Sequence, residues 1–61
     1  MKTLTEIDQQ IQEVLASNGA RSLLKETLRK GITLDCVDAY YDARLAADLL
    51  KERMNAILLA S

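Results

Sequence analysis

Between Ile32 and the end of this 61-residue chain there is neither a glycine nor a proline. Nothing in that half interrupts a regular backbone. Within it Cys36, Tyr40, Ala43, Ala47, Leu50, Met54 and Ile57 follow one another at intervals of four and three. That alternation is a heptad seam, which runs along one side of an α-helix and does not fit the period of two of a strand. It predicts one long C-terminal helix over about residues 34–60, roughly 40 Å in length. Ala39, Ala46 and Ala60 flank the seam, so its middle is thin and suits close backbone approach. A second apolar set, Leu34, Tyr41, Leu45, Leu49, Ala56 and Leu59, lies on the far side, interrupted by Asp38, Asp48 and Glu52. One apolar face is enough to pack a hairpin; two faces need a partner.

The first half also reads as helix. Thr3 followed by Glu6 fits a capping box, after which Leu4, Ile7, Ile11, Val14 and Leu15 form a single stripe, predicting a helix over about 4–17. Ser17-Asn18-Gly19 is a stop signal, and the expectation is that it closes the helix in a left-handed conformation. On that reading Gly19→Ala costs about 1 kcal/mol or more. A second helix over about 20–30 carries Ala20, Leu23, Leu24 and Leu28. This set points away from the first stripe if the helix runs straight through. Two readings remain open at this point: a bend at Asn18-Gly19, or one continuous helix with two faces. Gly31, behind Arg29 and Lys30, ends the second helix, and Thr33 or Asp35 caps the third.

Most of the apolar residues are Leu and Ala, with two Val, four Ile and two aromatics, and no six-residue window alternates like a strand. The fold class expected is all-α, a single domain over residues 1–61. It is read as a helical hairpin whose first arm is broken near Asn18-Gly19. Residues 4–30 and 34–60 make two arms of equal length around a short turn, which favours antiparallel neighbours.

Composition excludes several classes of function. No histidine and one cysteine leave no zinc finger, no Cys/His nucleophile pair and no intramolecular disulfide. No apolar run approaches the ~20 residues that span a bilayer, and Lys2 has no apolar segment behind it to make a signal peptide. A reducing, cytoplasmic setting is therefore expected, without membrane contact. A net charge of −1 argues for no polyanionic partner. There is no nucleophile–base pair and no phosphate-binding glycine loop, and a pocket of ~300 Å³ or more is not expected in so small a bundle. The expectation is no enzyme, no cofactor and no metal.

Arg21, Lys25 and Arg29 recur every four residues beside Lys30, and such a stripe can track a phosphate backbone. The same residues equally make the solvated face of a helix, placed to meet Asp35, Asp38 and Asp42 across an antiparallel turn. A helix-turn-helix over Lys25–Arg44 would put Asp35 and Asp38 against phosphates, with no side chain in that turn to read base edges. The three aspartates do not form a calcium loop, which needs a turn containing glycine, whereas acids early in a helix suit its dipole. Cys36 sits in the seam as a small apolar residue. Tyr40 belongs to the seam and Tyr41, some 100° away, to the second face, where aromatics mark interfaces.

Taken as a whole, the opening MKTLTEIDQQIQEVL and the closing YYDARLAADLLKERMNAILLAS around a short turn resemble the very small accessory proteins of temperate phages related to lambda. The resemblance covers length and helical layout. It implies an early-infection protein that acts on host physiology or developmental choice by binding other proteins, with no catalytic residues to carry over.

The function expected is a non-enzymatic helical protein–protein interaction module, a small regulator working as a homo-oligomer. Its interface residues are expected among Tyr40, Tyr41, Leu45, Leu49, Leu50, Met54 and Ile57. A lone hairpin of this size is marginal, and the second face, left bare, exceeds what monomers show, so a dimer or tetramer forming a helical bundle is expected. An unidentified protein is its further partner. The alternative is a nucleic-acid-binding or transcription-associated regulator using Arg21, Lys25, Arg29 and Lys30.

Overall fold

A computed structural model describes residues 1–60. Ser61, the last residue of the expected single domain, lies outside the described residues. The fold is all-helical, with α1 over Leu4–Ala16, α2 over Ser22–Gly31 and α3 over Cys36–Ala60, and no strand among the described residues.

Each helix start has its own chemistry. At α1 the Glu6 backbone N–H donates to Thr3 Oγ1 at 3.2 Å, and the Thr3 hydroxyl in turn donates to Glu6 Oε1 at 3.1 Å. The carboxylate thus pairs with the hydroxyl rather than with the Thr3 N–H of the usual box. At α3 it is Asp35 that caps: its Oδ1 accepts from the Val37 and Asp38 N–H groups at 3.0 and 3.2 Å. Thr33, the other candidate, instead donates its hydroxyl to the Lys30 carbonyl at 2.7 Å, closing the end of α2. At α2 the cap position is Arg21, whose side chain makes no capping bond.

The first arm is two helices, and its break corrects one expectation. No residue, glycine included, has a positive φ among the described residues. Neither Asn18 nor Gly19 is left-handed. The helix ends because Ser17 turns extended, at φ −74° and ψ 129°, with its N–H on the Val14 carbonyl at 3.1 Å. Its hydroxyl then accepts the Gly19 N–H at 3.2 Å, a local side-chain turn that competes with the next helical bond. Gly31 likewise closes α2 as its last helical residue, followed by Ile32 at φ −70° and ψ −13°.

The arrangement also departs from a hairpin with two arms packed along their length. α1 packs on α2, and α2 approaches α3, but α1 and α3 do not approach one another closely. The extended segment around Ser17 turns α1 aside instead of continuing the arm beside α3. As a result every described residue from Tyr40 onward is exposed, and no described residue is buried. The best-covered apolar side chains, Ile11, Val14, Leu15, Ala20, Leu28 and Ala39, are only half-buried.

Magnitudes show how open this is. The chain exposes 5583 Å². A compact monomer of 6.8 kDa exposes about 4,000 Å², leaving an excess of about 1,600 Å². Folding covers only about two-fifths of the unfolded surface, against the ~60% usual at this size. The radius of gyration is 14.0 Å, where a compact chain of this length has about 10.5 Å.

Candidate functional site

Where α1 and α3 fail to meet, a groove remains. Ile7 and Ile11 of α1 stand on one side, and Cys36, Ala39, Tyr40 and Ala43 of α3 on the other. Leu28 and Gly31 of α2, with Ile32 and Leu34 of the following turn, complete it. Its volume is about 680 Å³, well above the ~300 Å³ that so small a chain is expected to exclude. The expectation assumed packed arms, which would have filled this space. Thr27, Lys30 and Asp42 are the polar residues along the otherwise apolar lining. A second hollow, about 320 Å³, is polar and lined along α1 and its lead-in by Lys2, Glu6, Gln9, Gln10 and Glu13, with Lys2 Nζ donating to Gln10 Oε1 at 2.7 Å.

The expected interface residues are accessible on two faces. Tyr40, Tyr41, Leu45, Leu49, Leu50, Met54 and Ile57 are each between 50% and 61% exposed. Of these only Tyr40 lines the groove. Leu50, Met54 and Ile57 continue the same seam beyond it, uncovered, where a packed hairpin would lay the first arm over them. Tyr41, Leu45 and Leu49 lie on the opposite face. Although the two tyrosines leave the helix in different directions, their rings lean together edge to face, with centroids 5.3 Å apart at 67°. Arg44 Nη1 donates to the Tyr40 hydroxyl at 3.5 Å, steadying that ring from the next turn.

The basic residues of α2 do not behave as one free stripe. Arg29 Nη1 is paired with Glu26 Oε1 at 3.1 Å on its own helix. Lys25 is half-buried, Lys30 stands at the groove, and Arg21 is exposed at the helix start. No ion pair among the described residues joins them to Asp35, Asp38 or Asp42. Asp35 spends its carboxylate on the α3 cap, and Asp42 stands at the groove. Among the described residues no three acidic, cysteine or histidine side chains gather where a metal ion would sit. Cys36 is a free, exposed thiol. No helix of the described residues is long and apolar enough to cross a membrane.

Of the residues singled out in sequence, the groove holds only Tyr40 from the expected interface and Lys30 from the basic set, and sequence reasoning missed the groove itself. The apolar residues on its α1 side, Ile7 and Ile11, read in sequence only as the stripe of the first helix, and the space arises from how that helix is turned. No protein family, curated protein or solved structure matches the chain.

Proposed function

We propose that this chain is a non-enzymatic helical interaction module that works as a homo-oligomer and binds a second protein as a small regulator. The observation that carries the proposal is the absence of any buried residue among the described residues of a chain that is 49% apolar. A stable fold of this size needs covered apolar surface, and the excess of about 1,600 Å² per chain is twice what one partner contributes to a standard interface. Dimerisation through one apolar face of α3 supplies that cover. The other face is left for a target, which the resemblance to small phage accessory proteins would place in an infected host.

Sedimentation equilibrium over ~1–100 μM tests the oligomer, with thermal stability rising as concentration rises. A well-folded monomer throughout that range overturns the proposal. Nucleic-acid binding through Arg21, Lys25, Arg29 and Lys30 is the competing reading. It predicts affinity for DNA or RNA that collapses between low and moderate salt, whereas an apolar helical interface responds little.

A further inference from the structure

We infer that the groove between α1, α2 and the start of α3 receives the free half of α3 from a second copy, in an antiparallel two-fold dimer. This rests on the self-association proposed above and specifies its geometry. The groove's α3 side is the beginning of the seam, Cys36, Tyr40 and Ala43. The same seam runs on as Leu50, Met54 and Ile57, all of them exposed. One helix therefore carries an open apolar groove at one end and a bare apolar ridge of the same face at the other.

The ridge cannot reach its own groove. α3 is one unbroken helix over Cys36–Ala60, without glycine or proline, and helices bend sharply only at such residues or at inserted turns. Its length of about 37 Å keeps the two ends apart. Only a second chain brings a ridge to the groove. If the second chain runs antiparallel, the two contacts are equivalent and close on each other, as a two-fold axis requires. That axis crosses α3 midway between groove and ridge, between Ala46 and Ala47. The small side chains there, with Ala43 one turn before, let the two backbones come close.

The areas agree. Covering the excess on both chains removes about 3,200 Å² in total, within the roughly 2,000–5,000 Å² of obligate homodimers. A small apolar ligand would fill the groove but leave the ridge bare, which is why a second copy is the occupant.

Cys36 makes the register testable. With the axis between Ala46 and Ala47, Cys36 of one chain lies opposite position 57 of the other, while the two Cys36 residues are about 30 Å apart. A disulfide needs Cα atoms within about 7 Å. Three proteins are oxidised mildly: the wild type, Ile57→Cys, and Ile57→Cys combined with Cys36→Ser. Ala39→Cys with Met54→Cys in the Cys36→Ser background, two positions that the same register places opposite each other, serves as a second reporter should Ile57→Cys lose helicity by circular dichroism. Only the proteins holding both cysteines are expected to give a covalent dimer, and that dimer should stop at two chains. Linkage of the wild type, linkage of the double variant in which Cys36 is replaced, or a ladder of higher species overturns the antiparallel closed dimer. So does a reduced protein that sediments as a dimer while neither opposed cysteine pair links. A reduced protein that sediments as a monomer instead overturns self-association itself.

Discussion

Replacing Gly19 by alanine reports directly on how the first arm is broken. Gly19 has no positive φ, so an alanine incurs no left-handed penalty there. A Cβ built on it meets only Ser17 Oγ, at 3.7 Å, an ordinary van der Waals distance. The Gly19 N–H that donates to the Ser17 hydroxyl is retained. What remains is the lower backbone entropy of alanine in the unfolded chain, a gain of about 0.4–1 kcal/mol. In a domain of this size that raises the melting temperature by about 2–8 °C. Thermal and urea melts of wild type and Gly19→Ala, at one protein concentration so that association cancels, give the sign. Destabilisation by about 1 kcal/mol or more would mean a left-handed Gly19, and would refute a break made by an extended Ser17. As a companion, Ser17→Ala removes the acceptor of the Gly19 N–H and should cost about 0.5–1 kcal/mol.

Asp35→Ala removes the acceptor of two backbone N–H groups at the start of α3 and should lower stability by about 0.5–2 kcal/mol, with Asp35→Asn retaining most of it; urea midpoints compare the three. Leu50→Glu places a charge on the ridge and should weaken dimerisation by about a hundredfold, near 3 kcal/mol, as read by sedimentation. Leu45→Glu and Leu49→Glu, on the opposite face, should leave the dimer within about threefold, because nothing of that face enters the groove. Loss from Leu45→Glu and Leu49→Glu with Leu50→Glu unaffected would place the interface on the outer face instead. Helicity at 222 nm should fall on dilution, since the second half of α3 extends beyond α1 and α2 and an isolated segment of that length is marginal in water.

Most of the helical pattern is written in the chain itself. The Thr3–Glu6 pair, the Asp35 carboxylate, the Ser17–Gly19 stop and the run without glycine or proline after Gly31 all act within a few residues. Their hydrogen bonds and backbone preferences therefore mark where helices begin and end almost irrespective of surroundings. The two faces of α3 were legible for the same reason, since periodicity alone places Leu50, Met54 and Ile57 apart from Leu45 and Leu49. The direction of α1 was not. It depends on one residue, Ser17, leaving the helix through extended backbone rather than through a left-handed glycine, and both routes are compatible with Ser-Asn-Gly. That choice sets α1 on α2 and away from α3, opens the groove between Ile7 and Tyr40, and leaves the seam bare. Local chemistry determines the helices; which apolar faces are covered is a non-local outcome, decided by the few torsion angles between them.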